Sequence, residues 1–321
     1  MPCHCRARPT APPVVVIGGI GDSGTRGVAA TVEALVGKPL CVAERLKRDG
    51  SLDCVAWKRT DLSNIVRVLR RAEAHASASP SFLHGIVHTV HAECSWFCSA
   101  MDKALTTADG SSGRGWKDPE SWVWLPLLRA SLGAALRYIH VVRDVRDVVL
   151  NANQCQFLKF CDALYAQTLN QSCGECMAIS HAPTCREPAY VHEGLSCAHS
   201  VSPWEGTQHE QRERLRLRAA FWSLLNSQIH AFGTSRLGGT SYMLLHIEDL
   251  VRDEPQGTLE RLARFIEAPT PSAALLKKVA DRNAANAAAY NRTNRYNASQ
   301  LEVLPSLGPS LWDPDGYYSM H

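Results

Sequence analysis

The sequence lacks any uninterrupted apolar run of the roughly 18–20 residues that a membrane-spanning helix requires. Its first 13 residues (MPCHCRARPTAPP) are basic and proline-rich, without the apolar stretch of a secretory signal. It also lacks a strong charge, since 34 basic and 31 acidic residues give a formal net charge of +3. We therefore expect neither a transmembrane segment nor a secretory signal. The weak net charge also argues against a protein that coats nucleic acid. A small anionic ligand, which needs only a few well-placed cations, fits this balance.

Cysteine, in contrast, is abundant, and six of the 12 cysteines fall between Cys155 and Cys197. Disulfides, free thiols and a zinc site built on Cys173 and Cys176 all fit this spacing. Three Asn-x-Ser/Thr sequons favour the lumen of the secretory pathway, whereas the missing signal favours the cytoplasm. The sequence leaves the compartment open between these two.

Three apolar runs indicate buried β-strands, and helical periodicity lies between them. The strands are predicted at Val14–Ile17, Leu136–Val142 and Tyr242–Ile247, and helices at 27–36, 211–232 and 256–267. Strands that alternate with helices are typical of a parallel sheet covered on both faces. We expect an α/β fold of three layers, in which a central parallel sheet is flanked by helices.

The length of 321 residues and the apolar content of 45% suit one large domain covering 1–321. Residues 1–12 are expected to form a disordered or extended tail. Thr106–Gly115 has the composition of a flexible loop. Residues 155–210 lose periodicity, so we interpret them as a Cys-rich insertion or lid.

A glycine-rich turn, GGIGDSGTRG, spans 18–27, where the first strand meets the first helix. Backbone N–H groups and the start of a helix then point to one place, which makes an anion site. Gly19, Gly21 and Gly24 also fit the dinucleotide fingerprint, with Glu44 at the position of a ribose-binding acid. A kinase-type phosphate loop fits less well, because no lysine precedes the hydroxyl.

A second anion site is predicted at the end of the Leu136–Val142 strand. Tyr138–Asn151 reads YIHVVRDVRDVVLN, so Arg143 leaves the strand directly before a helix. Ligands bind at the carboxyl ends of parallel strands, and a guanidinium offers a fixed pair of donors to a phosphate. The alternative is an Arg-Asp pair that begins a helix.

Together the two segments resemble the sulfotransferases that use 3′-phosphoadenosine 5′-phosphosulfate as donor. Ser23-Gly24-Thr25 matches the centre of that superfamily's 5′-phosphosulfate loop, with Asp22 where a basic residue is usual and Arg26 in place of a second Thr. Arg143 and a donor eight residues later, here Asn151, match its 3′-phosphate motif. The resemblance implies the P-loop-like sulfotransferase fold and donor-binding residues Gly21, Asp22, Ser23, Gly24, Thr25, Arg26, Arg143 and Asn151.

Two further segments are similar to the same superfamily and extend the resemblance over most of the chain. They are the Lys-Asp-Pro element at Gly115–Pro119, which precedes the second predicted strand, and HIEDL at 246–250 with its following helix. The resemblance implies that Lys117 contacts the sulfonate and the leaving oxygen. Glu44 or Asp53 is the implied base, and His88 and His91 are the alternative.

The resemblance implies sulfuryl transfer to an acceptor hydroxyl on a small molecule, glycan or tyrosine, with no metal. The acceptor and the oligomeric state are not predicted. Two other functions remain open: a nicotinamide-dependent oxidoreductase, based on Gly19–Gly24 and Glu44, and a nucleotide-binding relative without catalysis.

Overall fold

A computed structural model describes residues 13–20, 23–38, 40–42, 105, 114–149, 207–251 and 255–293. The chain divides into two compact units. The first consists of the described parts of Met1–Gly19, Gly24–Val142 and Gln228–Ala288. The second consists of the described parts of Ile20–Ser23, Arg143–Ser227 and Ala289–His321.

The first unit contains a five-stranded parallel sheet, counted over the described residues, in the order β2-β3-β1-β4-β5. The strands are β1 (Val14–Gly19), β2 (Cys41–Val42), β3 (Gly115–Lys117), β4 (Leu136–Val142) and β5 (Tyr242–His246). Central β1 pairs with β3 on one side and β4 on the other. All six β1 residues are buried, as expected for a strand covered on both faces.

Helices connect and flank these strands. They are α1 (Thr25–Val36), α2 (Leu125–Leu132), α3 (Val145–Val149), α4 (Gln208–Phe232), α5 (Gln256–Phe265) and α6 (Ala273–Thr293). A 3₁₀ segment, Pro119–Trp124, precedes α2, and a π-helical turn, Gly233–Leu237, follows α4. The α/β class and a parallel sheet flanked by helices are thereby confirmed.

Alternation along the strands gives the sheet two chemically different faces. One face carries Val15 and Ile17 of β1 and Ile139 and Val141 of β4, in an apolar cluster completed by α1, α5 and α6. The other face carries Tyr138 and His140 of β4 and Tyr242 of β5, all buried. Hydrophobic burial therefore dominates the first face, while buried aromatic and polar groups fill the second.

The strand and helix predictions are confirmed with shifted ends. The β4 prediction matches Leu136–Val142, and α1 begins two residues before the predicted 27. Helix α4 begins at Gln208 instead of 211, and its predicted apolar face is buried at Leu215, Ala219, Trp222, Leu225 and Ile229. The ends shift in both directions: α1 and α4 begin earlier than predicted, whereas β5 and α5 end one and two residues earlier, because backbone hydrogen bonding sets an element's end.

Two local predictions are wrong. Gly18 and Gly19 are part of β1 instead of a turn, because they pair with His140 and Val141 of β4. Gly115, expected at the end of a loop, opens β3 and pairs with Val15. Strand pairing outweighs the turn preference of glycine at these positions.

Gly24 determines how α1 begins. Its φ of +87° lies in the left-handed region, and a Cβ built there would lie 2.7 Å from Ile247 Cγ1. Any side chain thus meets both backbone strain and a packed neighbour. The requirement for glycine at the start of α1 is steric as well as conformational.

We predict that Gly24→Ala destabilises the protein more than Gly37→Ala does. Gly37 also has a left-handed φ, +64°, but a Cβ added to it would have no neighbour within 4 Å. Both substitutions carry a conformational cost of about 1–2 kcal/mol, and Gly24→Ala adds about 1–3 kcal/mol from overpacking against Ile247. Urea denaturation of both variants measures the difference, and equal free energies of unfolding would contradict the steric role.

Candidate functional site

Three of the motifs identified in the sequence follow the carboxyl ends of three adjacent parallel strands. The glycine-rich segment continues from β1, Lys117 ends β3, and Arg143 comes directly after β4. The register sets Ile17 beside Lys117 and Gly19 beside Val141, so these strands end at nearly the same level. This is the edge of a parallel sheet where ligands bind.

Ser23 is a buried hydroxyl with no hydrogen-bond partner among the described residues. The residue is 1% exposed, and its Oγ neither donates to nor accepts from any group in the described part of the chain. Its backbone N–H donates to Ile20 O at 3.1 Å, which closes a turn. Leaving a buried hydroxyl unsatisfied costs about 1–3 kcal/mol, so this atom has the character of a ligand-binding group.

The next residues begin α1, whose N-cap residue, Gly24, has no side chain with which to cap the helix. Gly24 O accepts from Gly27 N and Val28 N at 2.9 and 3.2 Å, which sets the first turn. Thr25 is buried and Arg26 is exposed. The first N–H groups of a helix have no intrahelical partner and carry partial positive charge, which favours an anion. Gly21 and Asp22 lie outside the described residues.

Ile247 connects a further motif to this turn. It follows β5, within the HIEDL segment, and its side chain fills the space that a Cβ on Gly24 would need and lies 3.8 Å from the position of a Cβ on Gly27. The backbone turn Ile247–Leu250 continues directly from β5. The HIEDL segment, which resembles a segment of the sulfotransferases, thus packs against the start of α1.

Behind Gly18, the second face of the sheet holds a buried aromatic and polar cluster that the sequence did not predict. Tyr138 OH would lie 2.3 Å from a Cβ on Gly18, so the glycine admits the phenol. Tyr242 stacks on Tyr138, and its hydroxyl contacts His140 Nδ1 at 2.8 Å and His230 Nδ1 at 3.1 Å. Burial raises the pKa of both tyrosines, so both phenols stay protonated at neutral pH.

A polar network holds the middle of α1 against α6 and was likewise not predicted. Arg282 donates to Ala30 O at 3.0 Å and to Thr31 Oγ1 at 3.1 Å. Asn283 Nδ2 donates to the same Thr31 oxygen at 3.2 Å, and that hydroxyl donates to Gly27 O at 2.9 Å. The network fixes the first turns of α1 from a segment some 250 residues away, a contact that no local pattern predicts.

Lys117 is buried, with 4% of its surface exposed, and it is the last residue of β3. Lys117 pairs with Ile17 of β1, so its side chain lies on the same face of the sheet as Ile17, the face on which α1 packs. The next residue, Asp118, donates its backbone N–H to Ile17 O at 3.0 Å. Lys117 is therefore a buried strand residue and not an exposed loop lysine, and its catalytic role stays a prediction.

Arg143 is held by an ion pair within its own segment. Its Nε and Nη2 donate to Asp147 Oδ2 at 3.1 and 2.8 Å, and 13% of its side chain is exposed. Asp144 caps the following turn by accepting Arg146 N at 2.8 Å, and Arg146 also pairs with it. The Arg-Asp pairing considered as an alternative is present, and it orients the guanidinium at the end of β4.

The remaining candidate residues lie outside the described part of the chain. They are Glu44 and Asp53, the candidates for the base, His88 and His91, the alternative candidates for the base, and Asn151, the predicted hydrogen-bond donor to a 3′-phosphate. Trp122 and Trp124, in the 3₁₀ segment that follows β3, are completely buried.

No family model matches the chain, and no curated protein matches it either. Within the described helices, none is both long and apolar enough to span a bilayer. Among the described residues, no three His, Cys, Asp or Glu side chains come together as a metal site.

We predict that Ser23→Ala leaves the free energy of unfolding unchanged or raises it, because the buried hydroxyl has no hydrogen-bond partner to lose among the described residues. Ser121→Ala is the matched control. Ser121 is equally buried, but its Oγ accepts a hydrogen bond from Trp116 Nε1 at 3.2 Å. The control should lose about 1–3 kcal/mol in chemical denaturation; an equal loss in Ser23→Ala would contradict the assignment of Ser23 Oγ to a ligand.

Proposed function

We propose that this protein transfers a sulfuryl group from 3′-phosphoadenosine 5′-phosphosulfate to an acceptor hydroxyl, in a P-loop-like sulfotransferase fold. The observation that carries the proposal is the buried hydroxyl of Ser23, which has no hydrogen-bond partner among the described residues and directly precedes the glycine N-cap of α1. Its support comes also from the position of three motifs after adjacent parallel strands. The sequence resemblance supplies the identity of the donor.

The strand order favours this proposal over a nicotinamide-dependent oxidoreductase. In the dinucleotide fold, the strand that follows the first helix lies next to β1 and carries the ribose-binding acid at its end. Here β2 follows α1, but β3 lies between β2 and β1. Glu44 follows β2 in the chain, so it starts from a strand that is one position too far from β1. The glycine fingerprint at Gly19–Gly24 therefore lacks the neighbouring strand that would carry the ribose-binding acid in a dinucleotide site.

In the proposed reaction, the acceptor oxygen forms a bond to sulfur while the bond from sulfur to the bridging oxygen of the 5′-phosphate breaks. Negative charge builds on that leaving oxygen, and the acceptor proton passes to a carboxylate, for which Glu44 and Asp53 are the candidates. Lys117 would stabilise the leaving oxygen, and the N–H groups at the start of α1, with Ser23, would hold the 5′-phosphate. Arg143 and Asn151 would hold the 3′-phosphate.

We predict that the protein binds 3′,5′-adenosine bisphosphate and does not bind NAD in calorimetric titration. Both ligands contain a 5′-phosphorylated adenosine, but only the bisphosphate carries a 3′-phosphate and only NAD carries a nicotinamide nucleotide, so the two proposed functions predict opposite results. Tight binding of NAD with no binding of the bisphosphate would instead support the oxidoreductase. Binding of the bisphosphate without any transfer activity would support the non-catalytic relative.

Arg143→Ala should weaken binding of the bisphosphate by about 10- to 150-fold, the equivalent of about 1.5–3 kcal/mol for hydrogen bonds to a charged group. Arg146→Ala is the matched control, because Arg146 lies in the same segment, pairs with Asp144 and has 45% of its side chain exposed. It should leave the affinity within about twofold, the range expected of a surface substitution. Full-strength binding by Arg143→Ala would contradict the 3′-phosphate assignment.

Transfer of labelled sulfate from the donor to a panel of phenols, alcohols, sugars and tyrosine peptides tests the activity itself. Lys117→Met should lower kcat by about 100- to 1,000-fold, as removal of one group that stabilises transition-state charge commonly does. Its affinity for the bisphosphate, measured in parallel, reports whether the variant is folded. A variant that keeps both kcat and affinity would exclude Lys117 from the chemistry.

A further inference from the structure

A cavity of about 790 Å³ lies within the first unit, at the amino ends of β4 and β5. Gly133 and Ala134 come just before β4 and line it, as do Thr240 and Ser241 just before β5. It therefore lies at the opposite edge of the sheet from Lys117 and the carboxyl ends of the strands. Its volume is in the range of small-molecule sites, and none of the motifs uses it.

The lining combines apolar surface with positive charge. Phe232 at the end of α4 and Leu237 in the π-helical turn are half-buried apolar side chains. Arg129 of α2 and Arg236 of the same π-helical turn are exposed, and none of the described residues that line the cavity is an Asp or Glu. Within the described residues, neither guanidinium has a hydrogen bond or an ion pair.

Helix electrostatics accounts for part of this arrangement. Arg129 and Arg236 each lie in the last turn of a helical segment, where a cation is favourable against the helix dipole. A lysine would meet that requirement equally well. A guanidinium adds up to five N–H donors in a planar array that matches an oxyanion, and two of them border one apolar cavity.

We propose that this cavity binds a small molecule that carries one oxyanion group, such as a sulfonate, carboxylate or phosphate, on an apolar body. The arginines provide charge-assisted hydrogen bonds to the oxyanion, and Phe232 and Leu237 contact the apolar part. The concave shape favours a small molecule, and a described lining with two arginines and no carboxylate fits an anion. This site is separate from the proposed donor site and does not depend on it.

Fluorescence titration of the full chain with 1-anilinonaphthalene-8-sulfonate tests the proposal, with N-phenyl-1-naphthylamine as the neutral analogue that lacks the sulfonate. The sulfonate should bind more tightly than the neutral analogue, and its affinity should fall as salt is added. The double variant Arg129→Gln/Arg236→Gln should weaken sulfonate binding by about 100-fold, or about tenfold for each arginine. Its affinity for the neutral analogue should not change.

The matched control is Arg261→Gln/Arg264→Gln, which removes the same charge from exposed positions on α5. It should bind the sulfonate as the unmodified protein does. Saturating 3′,5′-adenosine bisphosphate should not displace the sulfonate, whatever the outcome for the donor site. Unchanged affinity in Arg129→Gln/Arg236→Gln, an equal loss in the α5 control, or displacement by the bisphosphate would each overturn the proposal.

Discussion

The parallel pairing of β1 with β4 is the constraint on which the rest of this structure depends. All six residues of β1 pair with β4, and every one of them is buried. Because both strands run in one direction and end at nearly the same level, the segments that follow them leave from one sheet edge. The pairing requires Gly18 and Gly19 to be extended, and Gly18 to leave space for Tyr138. The glycines whose pattern predicted a turn are thus needed to complete the central strand.

The two faces of the sheet make different contributions. The apolar face, with α1, α5 and α6, supplies the large hydrophobic area that stabilises the fold. The other face buries the hydroxyl of Tyr242 between two imidazoles, and a neutral phenol has only one hydrogen to donate. One histidine must therefore donate to Tyr242 from Nδ1–H if the other accepts. Such a network specifies one arrangement of β4, β5 and the end of α4.

The sequence was informative where burial leaves a local pattern. Continuous apolar runs predicted β1, β4 and β5, and helical periodicity predicted the buried face of α4. It was uninformative where a strand exists only through its partners: β3 has three residues, begins with glycine and ends with Lys117. The contact of Arg282 with Thr31 could not be predicted either, since it joins residues 251 positions apart. The position of Arg143 followed from its motif and the apolar run before it, whereas the position of Lys117 at the end of β3 was not predicted.

Charge around Arg143, the proposed contact to the 3′-phosphate, is balanced locally instead of accumulated. Arg143 pairs with Asp147, and Arg146 pairs with Asp144, so these four side chains sum to no net charge. Recognition of a phosphate there would rest on a guanidinium held in one orientation, since Asp147 fixes it through two donors. Local balance agrees with the net charge of only +3 for the whole chain. Oriented donors discriminate between ligands by geometry, whereas a diffuse positive field attracts every anion. A site of this kind suits a nucleotide that must be distinguished from its relatives by the position of one phosphate.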